Sequence, residues 1–361
     1  MDNLNFNGEM FRLARQFRGH TQRELAAALS AEPSTISRIE NDVAQPSTDL
    51  VSRAAEKLRV PSEFFYQTER IYGLPVSVHP MWRKKASAPQ HETDRALAEL
   101  NIRIMHLRRL KRSVEYEPIL PMPEFDIESY DGDAEKIAIL VRRTWLLPAG
   151  PVKDLTAWVE RAGCFVIHVD LPPSAMDGVT LRVPDAPPCI FLNKNLPSDR
   201  MRFTLAHELG HLVMHRLPTP DMEQEANAFA GEFLMPANDI RPFFLGRRID
   251  LRLLAALKPE WRVSMQTLLY RAKKLDLVDP NQYRYLWQQF NIHKIRMREP
   301  PELDIENERS SLMLKLVSLH LDQLGYSMSE LAKLAVMHES EVVDLYGARM
   351  APTRPVLKIV S

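Results

Sequence analysis

His207, Glu208 and His211 stand in the order H-E-x-x-H within "RFTLAHELGHLVMH", residues 202–215. On a helix, residues four apart share a face one turn apart, so the two imidazoles can bind one Zn²⁺ together. Glu208 cannot reach the same position, but it can act as general base on a water at that metal. A hydrolytic zinc site needs one more protein ligand and an open fourth position. A metzincin would carry Gly at 214 and His at 217; the chain has Met214 and Leu217, which excludes that class. His215 drifts off the shared face and is expected behind the ligands or at the surface.

The following stretch, "DMEQEANAFAGEFLMP" at 221–236, offers carboxylates. Ala226, Phe229, Ala230, Phe233 and Leu234 mark its packed face, and Glu225 lies along one edge of that face. Glu225 is therefore the expected third ligand, with Glu223, further round, and Glu232, two turns on, as alternatives. Two His and one Glu would make a thermolysin-type hydrolytic site.

These side chains need a scaffold. From Gly163 the pattern becomes short and β-rich, and "CFVIHVD", "GVTLRV" and "CIFLN" predict three strands. Helices are expected at roughly 198–216 and 221–235, the second ended by Pro236. "PPCIFLNK" is expected to be an edge strand lining the cleft, able to pair with a substrate segment. His168 and Cys189 read as structural.

Ahead of this lies a second motif, "HTQRELAAALSAEPSTISRIEND" at 20–42, two short helices at helix-turn-helix spacing. Thr21 and Glu24 form a capping-box pattern, and Pro33 suits the first turn of the second helix. Ile36 and Ile39 anchor that helix, so Ser34, Thr35, Ser37 and Arg38 point outward, where a recognition helix meets base edges and phosphates. Gln22 is expected on backbone phosphate. With "FRLARQFRG" before it and "PSTDLVSRAAEKLRVPSEFF" after it, this stretch resembles the Cro/C1 (XRE) repressor domain over its full length. It departs at Ser30, in the turn, where the family often has Gly. Residues 10–60 carry 8 Arg and Lys against 6 Asp and Glu, thin for a monomeric binder, so a homodimer on two half-sites of an operator is expected.

"RFTLAHELGHLVMH" followed by "EQEANAFAGEFLMP" resembles the ImmA/IrrE metallopeptidases. The likeness extends back through "GPVKDLTAWVERAGCFVIHVD" and forward through "WRVSMQTLLYRAKKLDLV", roughly residues 95–280. The resemblance implies a gluzincin-like fold and a zinc endopeptidase that cleaves a helix-turn-helix repressor and so derepresses genes. The competing expectation is a transcription factor or antitoxin-like regulator whose peptidase-like domain is a non-catalytic sensor. Metal content separates the two.

"GYSMSELAKLAVMHESEVVDLY", 325–346, repeats the first motif at a constant offset of 306. Its outward positions carry Glu339, Glu341 and Asp344, and acid facing phosphate is unfavourable, so a packing or dimerisation module is expected. The basic run "RIMHLRRLKR" at 103–112 is expected to be a solvated helix face packed on the peptidase.

The chain of 361 residues balances 47 Lys and Arg against 47 Asp and Glu, so nucleic-acid affinity must come from a local patch. Two cysteines exclude a disulfide scaffold, and the sequence shows neither a signal peptide nor a bilayer-spanning run, so a cytoplasmic protein is expected. The whole predicts an α+β, mostly helical chain. A five-helix reader spans 8–68, a linker 69–94, a peptidase domain 95–280, a C-terminal helical module 281–348, and a tail 349–361.

Overall fold

The computed structural model describes residues 5–73, 89–171 and 176–347, together with the backbone of 357–359. The fold is α+β and mostly helical. Four helices open it, α1 (Gly8–Phe17), α2 (Gln22–Ala28), α3 (Pro33–Glu40) and α4 (Thr48–Leu58), followed by a 3-10 turn at Ser62–Tyr66 where a fifth helix was expected. The Thr21–Glu24 capping box forms at the head of α2, and Pro33 occupies the first turn of α3. Between them Ser30 takes a left-handed backbone, φ 50°. That conformation suits Gly best, which accounts for the family's preference there.

A 22-residue helix, α5 (Gln90–Lys111), comes next, so residues 90–94 belong to its first turns rather than to a linker. Most of the expected linker, 74–88, lies outside the described residues. Strand β1 (Val114–Tyr116) pairs antiparallel with β5 (Leu357–Ile359). Helices α6 (Ala134–Thr144) and α7 (Leu155–Arg161) lead into strands β2 (Phe165–Val169), β3 (Gly178–Leu181) and β4 (Cys189–Asn193).

The three-stranded sheet has the order β2-β4-β3, with β4 parallel to β2 and antiparallel to β3. The segment "PPCIFLNK" is thus the central strand, and the edges are β2 and β3, correcting the sequence expectation. An apolar run buried on both faces suits a central position, and Cys189–Asn193 are all buried. Then follow α8 (Ser198–Met214), α9 (Met222–Leu234), α10 (Ala237–Phe244), α11 (Leu251–Trp261), α12 (Met265–Lys274) and α13 (Pro280–Ile292). The last three are α14 (Leu312–Asp322), α15 (Met328–Ala335) and α16 (Glu339–Tyr346).

The sheet separates two apolar cores. Phe165, Ile167, Val169, Val179 and Phe191 join the core that also holds α1–α5 and α14–α16. Val166, Ile190 and Leu192 join the other, with α6 through α13. Strand periodicity of two produces this division: successive side chains point to opposite faces.

The repeat at offset 306 is reproduced in the backbone. Ser327 and Glu330 form a capping box on α15 as Thr21 and Glu24 do on α2. Gly325 matches Gly19 at φ 72° and 71°, and Val336 matches Ser30 at φ 54° and 50°. Of its three acidic positions only Glu341 is turned inward: 5% exposed, it bonds Arg18 at 3.0 Å and Arg59 at 2.8 Å of the first helix-turn-helix unit, while Glu339 and Asp344 stay exposed.

The basic run of α5 is only in part a solvated face: Arg112 is exposed and Arg108 and Lys111 are half-buried. Arg103, His106 and Arg109 are buried. Arg103 donates to the Leu345 carbonyl at 3.1 Å and Arg109 to the Leu334 carbonyl at 3.1 Å, the C-terminal ends of α16 and α15. Cations there satisfy orphan carbonyls and complement the helix dipoles. Helix α5 is therefore the strut between the two helix-turn-helix units.

Candidate active site

Helix α8 starts after Pro197 and buries Leu205, Leu209 and Leu212. Helix α9 packs along it because Gly210 lets the two backbones close. A Cβ on Gly210 would sit 3.3 Å from the Ala226 Cα and 3.1 Å from Phe229 Cδ1. Across that contact His207 Nε2 and His211 Nε2 converge at 3.0 Å. The carboxylate that meets them is Glu223, 3.5 Å from His207 Nε2 and 3.3 Å from His211 Nε2.

Glu225, the expected third ligand, faces elsewhere: its Oε2 is 2.9 Å from His215 Nε2. At about 100° per residue, Glu223 and Glu225 flank the packed face of α9 on opposite edges. Only the side from which α8 presents its histidines selects between them. Glu232 is spent on structure, bonded to Arg271 and accepting from the Ala237 N–H at 3.1 Å.

A tetrahedral site with metal–ligand bonds of 2.0–2.2 Å has ligand atoms roughly 3.3–3.5 Å apart. The Glu223 oxygens, Oε1 at 3.3 Å from His211 and Oε2 at 3.5 Å from His207, match that figure, and the two imidazole nitrogens, at 3.0 Å, lie somewhat closer together. Glu223 Oε1 is buried with no hydrogen-bond partner, an acceptor aimed into the cluster. Burial opposes its charge, but the His207 and His211 imidazoles beside it outweigh that and hold the carboxyl down at about 2. Burial likewise opposes the His207 imidazolium, yet Glu223 and then Glu208 raise its pKa above the ordinary value.

The far nitrogens are also engaged. His207 Nδ1 lies 3.2 Å from Asn227 Oδ1, and the Asn227 amide donates to the Glu223 carbonyl at 2.7 Å. His211 Nδ1 lies 2.9 Å from His215 Nδ1, whose ring continues to Glu225. With His211 donating to His215 and His215 donating to Glu225, His211 Nε2 is left with a lone pair. The same logic frees His207 Nε2. Burial, and then the neighbouring His211, push His215 down to about 4, which keeps it neutral.

Glu208 points to the sheet. The Thr180 hydroxyl of β3 lies 2.8 Å from Glu208 Oε2 and 3.0 Å from its carbonyl. The strand can lie this close because residue 178 is glycine: a Cβ there would stand 2.6 Å from Thr204 Cγ2 and 3.2 Å from Glu208 Cγ. Thr180 and Asn227 were not singled out from sequence. Their signal was a polar residue inside an apolar strand and an amide one turn after Glu223.

In the N-terminal unit Ser34, Thr35 and Arg38 are exposed on α3, while Ser37 is half-buried. Gln22 turns inward and donates to Glu40 Oε2 at 2.8 Å, beside Arg15, so the side chain expected on phosphate is tied into the domain's ion network.

A helix-turn-helix domain joined to a metallopeptidase-type domain is the class that this fold and this cluster define. Family comparison gives the particular kinds: residues 11–65 match the helix-turn-helix family model, and residues 159–273 match the peptidase family described as the IrrE N-terminal-like domain. The chain therefore carries both modules, consistent with the ImmA/IrrE and XRE resemblances. No curated protein matches the chain. Among the described residues, no helix is long and apolar enough to cross a membrane.

Proposed function

We propose that this protein is a DNA-bound zinc endopeptidase that hydrolyses a repressor or antitoxin-like protein and so controls transcription. The observation that carries this reading is the convergence of His207, His211 and Glu223 beside a Glu208 oriented by strand β3. Each of the three residues offers one ligand atom within 4.8 Å of the others, a set that a single ion could gather, and zinc bound there would activate water and polarise the scissile carbonyl.

The chain's own residues do the rest. Glu208 takes the proton of the attacking water and delivers it to the leaving amine. Thr180 fixes the Glu208 carboxylate through one oxygen and leaves the other for that transfer. Asn227 orients His207, and the His215–Glu225 pair orients His211. Strand β3, which among the described residues pairs only with β4, offers its other edge to an extended substrate segment. Ser34, Thr35, Ser37 and Arg38 read an operator, with two copies of the chain spanning two half-sites.

The test is Glu208→Gln. The variant keeps stoichiometric zinc and loses cleavage of a co-encoded helix-turn-helix repressor. Undiminished cleavage, or wild-type protein that takes up no zinc, would sink the mechanism and favour a sensor domain. A gel shift with the neighbouring intergenic DNA tests the other half.

A further inference from the structure

A glycine inside a helix weakens it relative to alanine and so calls for a reason. Gly210 has one in the close approach of α8 and α9. Gly231, in the interior of α9, does not: nothing lies within 4 Å of where its Cβ would stand. The space above it is a cleft of about 650 Å³ between α9 and α12. Phe203, Ala228 and Met235 line its apolar part. Tyr270, 63% exposed, also lines it.

Glu223 and Asn227 line the same cleft, so it runs out from the ligand cluster. Its buried cation is already engaged, since Arg271 donates to Glu135 Oε1 at 2.8 Å and to the Met235 carbonyl at 3.0 Å. Lys274, at the exposed rim, is the other cation of the lining; around Gly231 the wall presents apolar surface and a neutralised Arg271, which favours an apolar occupant. Along α9, Gly231 stands eight residues past Glu223, roughly 12 Å at the helical rise. An extended peptide covers that distance in about three to four residues.

We propose that this cleft is the substrate's side-chain groove, and that Gly231 leaves room for a large apolar residue three to four positions from the scissile bond. The proposal deepens the peptidase reading and rests on it.

The probe is a pair of zinc-binding phosphinic peptides, with the phosphinate at the cleavage position. One carries Leu and the other Gly at the third and fourth residues on either side. Zinc-loaded wild type is expected to bind the Leu peptide at least about tenfold tighter than the Gly peptide, a modest value for one apolar side chain. Gly231→Met should lose that preference while binding the Gly peptide as wild type does. Gly231→Ala should fall between and melt no lower than wild type. A preference retained in Gly231→Met, or absent in wild type, overturns the proposal. A random peptide library, read by mass spectrometry, separates this from the peptidase reading. If wild type shows the preference yet cuts no peptide, the groove stands and the activity falls.

Discussion

Glu223 and Glu225 are two positions apart, yet one meets His207 and His211 and the other His215, which sets them different tasks. Glu223→Gln is expected to weaken zinc binding more than about 100-fold in chelator competition, as loss of a direct ligand. Glu225→Gln should weaken it by about 10–100-fold, the range for a partner behind a ligand. Equal losses would return the third-ligand role to doubt. Thr180→Val should keep zinc and fold but lower kcat by roughly tenfold or more, the value of a hydrogen bond to a charged group of about 1.5–3 kcal/mol. An unchanged kcat would show that Glu208 needs no such guide. His207, Glu208 and His211 were legible from spacing alone. Which carboxylate would join them was not, because Glu223 and Glu225 border the same packed face and the choice depends on how one helix meets another.

Among the elements, the helix pair α8–α9 depends on a missing side chain. Gly210→Val should destabilise the protein by about 1–3 kcal/mol, the usual cost of overpacking, and reduce zinc uptake with it. Gly231→Ala should do the reverse, raising stability by up to about 1 kcal/mol in denaturant melts. Helix α5 carries a pH-dependent contact. His106 Nδ1 lies 2.6 Å from the Tyr346 hydroxyl, and burial, then Arg103 and Arg109, lower its pKa to about 3. The unfolded chain binds that proton near the ordinary pKa of 6.5 and the folded chain does not. The contribution is thus full above pH 6.5 and declines toward about 3, by roughly 1.4 kcal/mol per pH unit. His106→Leu should flatten this stretch of the thermal stability profile. The three strands and most helices were readable from their periods. The strand order was not, since "CIFLN" is apolar enough for either place and pairing is settled by tertiary contact.

For the molecule as a whole, the repeat at offset 306 shows how one local pattern serves two ends. Ser34 and Thr35 stay exposed in the first copy, whereas in the second Glu341 is drawn into Arg18 and Arg59. The sequence signalled the echo and its acidity but not the basic partner, because those arginines lie some 300 residues away in the chain. Glu341→Lys should release the C-terminal unit, seen as faster amide exchange in α15 and α16 with zinc content unchanged. Strand β3 has a consequence for melting. Thr180 faces helix α8 while Val179 belongs to the core shared with the N-terminal helix-turn-helix unit. Neither half can unfold without stripping this strand of its neighbours on one side. The chain should therefore melt in a single calorimetric transition despite its two modules, and zinc should move that whole transition upward.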